Sequence, residues 1–123
     1  MVSIFDWEMS TLGDPLADLG YALAYWPSAE DPSVRRIAVS DVPSRPGFAS
    51  RDELVAHYRG LTGRDTCDVV FYQVLALYKL TIIAEGIHRR IQGSQIRLAT
   101  GEQIAERVVT IARAALAVAE GAA

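Results

Sequence analysis

Residues 67–92 read CDVVFYQVLALYKLTIIAEGIHRRIQ, and the apolar side chains of this run fall on nearly every side of a 3.6-residue period. A helix that is apolar all round belongs at the centre of a domain, so the other helices are expected to cover it. Its most apolar part, Val69 to Ala84, is 16 residues long and includes Gln73 and Lys79. A bilayer span needs about 20 apolar residues, so a core helix is expected rather than a membrane crossing. Gly86 inside the helix costs about 1 kcal/mol against alanine, which suggests close packing of another backbone there.

The flanking sequence supplies the covering elements. Ser50 followed by Glu53 is a capping box that opens a helix with Leu54, Val55, Tyr58 and Leu61 inward, and Gly63 ends it. Thr100 and Gln103 form a second capping box for a last helix, in which Ile104, Val108, Ile111, Ala115 and Val118 recur at heptad-like spacing. Before these, Asp14 is an N-cap candidate and Pro15 suits the first helical position. Leu16, Leu19, Leu23 and Trp26 form the stripe of a first helix that Pro27 stops. Residues 2–7, rich in β-branched and aromatic side chains, predict a short strand running into a turn at Gly13. Residues 27–50 hold four of the five prolines and no periodicity. They form a long loop, either substrate-facing or a surface excursion. The fold class is mainly α with a short N-terminal strand, in one unit spanning 1–123 without internal repeats.

Composition narrows the function. The chain has 123 residues, 50% apolar and 22% charged, with a net charge of −3, which suits one domain with a real core and excludes intrinsic disorder. Cys67 is the single cysteine. It therefore cannot form an intrachain disulfide, and it reads as a small buried or helix-edge residue. No basic, then apolar, leader stands at the start, so a cytoplasmic location is expected. No dense basic patch points to nucleic acid. The charge is uneven: residues 1–34 carry six acids and no Lys or Arg. Unpaired carboxylates beside apolar sequence need solvent, backbone donors or a cation, so chemistry is expected in the N-terminal third.

Asp6 and Glu8 stand two apart at the end of the predicted strand, so an extended chain points both carboxylates to one face. Such a pair can seat a hard cation such as Mg²⁺, or it can simply be solvated. Asp14 is expected to bond the backbone N–H of Leu16 or Ala17. Asp18, among Leu16, Ala17, Leu19 and Gly20, is expected either to take donors from an adjacent loop or to lie on the polar face. His57 and His88 each follow an acid by about one turn, Glu53 and Glu85, and read as ordinary surface pairs.

Taken together, Asp6-Trp7-Glu8, Gly13-Asp14-Pro15 and Asp18-Leu19 resemble the metal-binding segment of the aminoglycoside phosphotransferase and choline kinase-like enzymes. Tyr58 with Gly63-Arg64-Asp65, Tyr78-Lys79-Leu80, and Glu85 to Arg90 followed by Gly93 extend the likeness. They are similar to the subgroup that occurs alone in bacteria or fused to acyl-CoA dehydrogenase domains. The resemblance implies the helical portion of the C-terminal lobe of a protein-kinase-like fold. It implies that Asp6 is a cofactor-binding residue, coordinating Mg²⁺ that bridges the phosphates of ATP. Glu8 would assist a second metal, and Asp18 would brace the catalytic loop through its backbone. Tyr25 and Trp26 could line a substrate pocket or pack.

Other parts of such an enzyme are missing from the sequence. There is no Gly-x-Gly, no Asn, no His-x-Asp, and one lysine, Lys79, without strand context. In this family those parts precede the Asp6 segment, so the chain is expected to be a partial domain and inactive alone, with no catalytic residue of its own. The complete enzyme would transfer the γ-phosphate of Mg-ATP to a hydroxyl of a small molecule. The alternative is a non-catalytic helical module that self-associates through surface left uncovered, and a homo-oligomer is expected of the fragment.

Overall fold

The computed structural model describes residues 10–29, 31, 33, 41–92 and 101–121. Four helices account for most of them: α1 Leu16–Ala24, α2 Arg51–Thr62, α3 Val69–Gln92 and α4 Gly101–Ala119, with one 3₁₀ turn at Val42–Ser44. Among the described residues there is no strand, and the fold is mainly α. The strand expected at residues 2–7 lies outside the described residues, as does Thr100 of the second capping box.

α3 is the central element, with α1 and α4 packed along it. The core combines Ala76, Leu77, Leu80 and Ala84 of α3 with Ile111, Ala114 and Val118 of α4 and Ala24 of α1. The four alanines let the helix axes approach closely, and Leu23 and Leu77 are the largest fully buried side chains. Val108 and Ala115 pack against this core, so the apolar spacing of α4 holds. The tightest approach is between α1 and α3 at Gly20. A Cβ at that position would stand 2.5 Å from the carbonyl carbon of Tyr72.

α3 departs from the expectation that the other helices cover it. Its Gln73, Ala76, Leu77, Leu80 and Ala84 face is buried, whereas Phe71, Leu75, Tyr78 and Ile82 are exposed. Two neighbouring helices can cover only one side of a third, and no described element lies on the other. By length and composition α3 could cross a membrane. Gly86 also differs from expectation, since a Cβ there would meet nothing.

α2 begins and ends as the sequence indicates. The Glu53 N–H donates to Ser50 Oγ at 3.2 Å and the Ser50 N–H to Glu53 Oε2 at 2.7 Å. Gly63 adopts φ +67°, the left-handed conformation that closes the helix. Its inward face is shallow, however. Leu54, Val55 and Tyr58 are half-buried, and Leu61 is 74% exposed because no described element covers that side.

Candidate functional site

The site indicated by sequence is Asp6 and Glu8 with Asp18 in support; of these only Asp18, on α1, is among the described residues, and near it Tyr72 of α3 meets the start of α1. Asp14 Oδ1 accepts the Leu16 N–H at 2.9 Å, one of the two donors expected. The Ala17 N–H goes instead to the Asp14 backbone oxygen at 3.0 Å. Pro15 takes the N-cap position rather than the first helical one, so Asp14 caps from one residue further out. The other carboxylate oxygen, Oδ2, accepts the Tyr72 hydroxyl at 2.9 Å, across 58 residues of sequence. The Leu16 N–H, the Tyr72 hydroxyl and, more weakly, the charge of Arg64 hold the Asp14 carboxyl below the usual carboxylate range. The same bond raises the Tyr72 phenol, which must lose a proton shared with an anion. Asp14 of the Gly13-Asp14-Pro15 block is thus bonded to α3, and Arg64 of the Gly63-Arg64-Asp65 block acts on it only through its charge. With both oxygens engaged, Asp14 is a positioning group that fixes where the chain enters α1.

Asp18 lies one turn further along α1, in the first turn, where the helix dipole favours an acid. It is exposed, and no described residue hydrogen-bonds its carboxylate, which is the polar-face alternative. Asp6 and Glu8 lie outside the described residues, and among the described residues no group of three His, Cys, Asp or Glu converges as a metal site.

Beyond Asp18, Tyr21 and Tyr25 pack with ring centroids 5.4 Å apart. Burial, followed by the neighbouring Tyr21, raises the Tyr25 phenol. Trp26 donates its indole N–H to the Ala49 carbonyl at 2.8 Å and meets Phe48 edge-on. Asp31, buried, accepts two bonds from the Arg51 guanidinium, at 2.7 and 2.5 Å, and one from the Ser28 N–H at 2.8 Å. The beginning of the Pro-rich loop is thus tied to its end, at Ala49 and at Arg51, the first residue of α2, while residues 30, 32 and 34–40 lie outside the described residues. These anchors leave no local trace, because each joins residues about twenty apart with no periodic signature.

The histidines differ from expectation in their partners. Glu53 is committed to the Ser50 cap and Glu85 to Arg89 at 2.7 Å, while His88 Nε2 meets Gln92 at 2.8 Å. Cys67 is exposed in the turn before α3. Its N–H donates to Asp65 Oδ1 at 3.0 Å, and the Asp65 carboxylate pushes the thiol pKa up. A shallow open depression of about 560 Å³ lies along α2, lined by Asp52, Val55, Arg59, Gly60 and Thr66 among others. It contains none of the site residues indicated by sequence.

Comparison with known proteins gives the constellation a context. Residues 1–54 match the family described as Phosphotransferase enzyme family. The chain is 31% identical over 107 residues to mouse Acyl-CoA dehydrogenase family member 10, covering 84% of this chain and 10% of that protein. It is 33% identical over 94 residues to mouse Acyl-CoA dehydrogenase family member 11, covering 73% and 12%. The chicken member 11 is 28% identical over 123 residues, covering 94% and 15%. The chain thus spans between a tenth and a seventh of the length of these relatives. No solved structure matches it.

Proposed function

The chain belongs to the phosphotransferase enzyme family, and from that premise we propose that it carries the metal-side segment of a Mg-ATP-dependent enzyme phosphorylating a hydroxyl of a small molecule. Asp6 is the residue that would hold Mg²⁺, with Glu8 in reserve for a second ion. Carboxylate oxygens suit this hard cation, which keeps several waters and takes one or two protein carboxylates beside the substrate phosphates. When bound, the ion neutralises charge that develops on the transferred phosphoryl group.

The observation that carries this reading is the family match over residues 1–54, a stretch that holds Asp6, Glu8, Asp14 and Asp18. Within it the bonds of Asp14 to Leu16 and Tyr72 set the start of α1, eight residues beyond Asp6. Asp18, exposed and without a described partner, is suited to receive backbone N–H groups from a catalytic loop. The chain contains neither that loop's base nor a nucleotide clamp, so it is proposed to be inactive alone.

The test is Mn²⁺ titration of the 123-residue chain, followed by paramagnetic broadening in its amide spectrum, with and without Mg-ATP. Broadening centred on residues 5–9 and lost in Asp6→Ala supports the assignment. Identical broadening in wild type and Asp6→Ala refutes it, and ATP-dependent phosphorylation of a hydroxyl compound by the isolated chain refutes the proposed inactivity.

A further inference from the structure

Phe71, Leu75, Tyr78 and Ile82 are 63%, 37%, 59% and 53% exposed and follow one another at i, i+4, i+7 and i+11. They therefore form one stripe along α3, about 16 Å long at 1.5 Å per residue. It lies opposite the Gln73–Leu77–Leu80–Ala84 face that α1 and α4 cover. These four side chains leave roughly 500 Å² of apolar surface open, near the upper limit for a monomer. With the stems of Lys79 and Arg89 beside them, the face approaches the roughly 800 Å² per partner of a stable interface.

From the ends of this stripe and the glycine inside it, we infer that α3 pairs with α3 of a second copy of this chain, antiparallel about a two-fold axis between Tyr78 and Lys79. The stripe is self-complementary in that register. An acid, Asp68, stands at its N-terminal end and a base, Arg89, at its C-terminal end, both exposed. The two-fold places each against the other's partner. Leu75 meets the second copy's Ile82, and Phe71 lies over the second copy's Gly86. Arg89 is bonded within its helix to Glu85, but with 77% of its side chain exposed it can still face a partner.

Gly86 makes the second copy the occupant of choice. It is a helix-weakening residue inside α3, and a Cβ there would meet no atom of the described residues within 4 Å. No contact among the described residues accounts for it. In the antiparallel pair it leaves a dent for the Phe71 ring. The inference goes beyond the phosphotransferase reading and does not rest on it, since it uses neither Asp6 nor any nucleotide.

Sedimentation equilibrium on the 123-residue chain, from micromolar concentration upward, tests the pairing. A monomer–dimer equilibrium is expected, weakened about tenfold or more by Asp68→Lys and by Arg89→Glu, each of which sets like charges opposite one another. An equimolar mixture of those two variants restores association, because the mixed pair has an attractive contact at both ends. Gly86→Leu weakens the dimer while raising the melting temperature of the dilute monomer, a combination that a purely structural role cannot produce. A chain that stays monomeric to about 1 mM overturns the inference. So does a dimer indifferent to Gly86→Leu, or a variant mixture no tighter than either variant alone; the last two results would place the contact on another face.

Discussion

Replacing Gly20 by alanine tests the packing of α1 on α3 most directly. The new Cβ would lie 2.5 Å from the carbonyl carbon of Tyr72, 2.7 Å from its Cβ and 2.8 Å from its carbonyl oxygen. Carbon atoms settle at about 3.5–4.0 Å, so α1 must retreat by about 1 Å, and because the obstacle is backbone no rotamer change relieves it. Overpacking of this kind costs about 1–3 kcal/mol, and the retreat also stretches the Asp14–Tyr72 bond. Alanine returns about 1 kcal/mol of helix propensity, which leaves a net loss of up to about 2 kcal/mol. Gly86→Ala is the internal control. It brings the same propensity gain with nothing in the way, so it should stabilise by about 1 kcal/mol. The two variants should therefore differ by about 1–3 kcal/mol, or roughly 3–12 °C in melting temperature. Circular dichroism, repeated at two dilutions so that any association is seen, would measure this. If Gly20→Ala stabilised the chain as much as Gly86→Ala, the close crossing of α1 and α3 would be refuted.

Three further outcomes follow from the anchoring contacts. Asp31→Ala strands the largely buried Arg51 guanidinium, whose Nε already has no hydrogen-bond partner; a loss of about 3 kcal/mol in urea unfolding is expected. Tyr72→Phe removes a donor from Asp14, whose carboxyl is held below its ordinary value in the folded chain. The stability from that bond is full above the ordinary carboxylate value of about 4 and disappears as pH falls through the lowered folded value. The urea midpoints of wild type and Tyr72→Phe should therefore differ at pH 6 and converge in strong acid. The Cys67 thiol, pushed up by Asp65, should alkylate slowly at neutral pH, and Asp65→Asn should speed the reaction and move its pH midpoint down.

The features legible in the sequence are those whose signals are local. Ser50, Glu53 and Gly63 delimit α2 because a capping box and a left-handed terminator act within four residues of the helix ends. The core face of α4 was legible because Val108, Ile111, Ala115 and Val118 repeat at helical spacing and meet one partner. The environment of α3 was not, because an all-round apolar pattern states that a helix can be covered, not which elements cover it. Phe71, Tyr78 and Ile82 are exposed for that reason. In the candidate site, the capping role of Asp14 could be read from Pro15 beside it. Its second bond, to Tyr72, joins residues 58 apart and leaves no local trace. Gly20, which the sequence marks only as a neighbour of Asp18, sets the distance between two helices.

The paired clamps at the base of the Pro-rich segment also bear on how this protein can vary. Asp31 to Arg51 and Trp26 to Ala49 hold the two ends together irrespective of the length of chain between them. Lengthening a closed loop costs little, only about 0.6 kcal/mol for each doubling. Natural homologues can therefore gain or lose residues here without shifting the helical scaffold, and an engineer could graft a reporter peptide or an epitope into the same stretch.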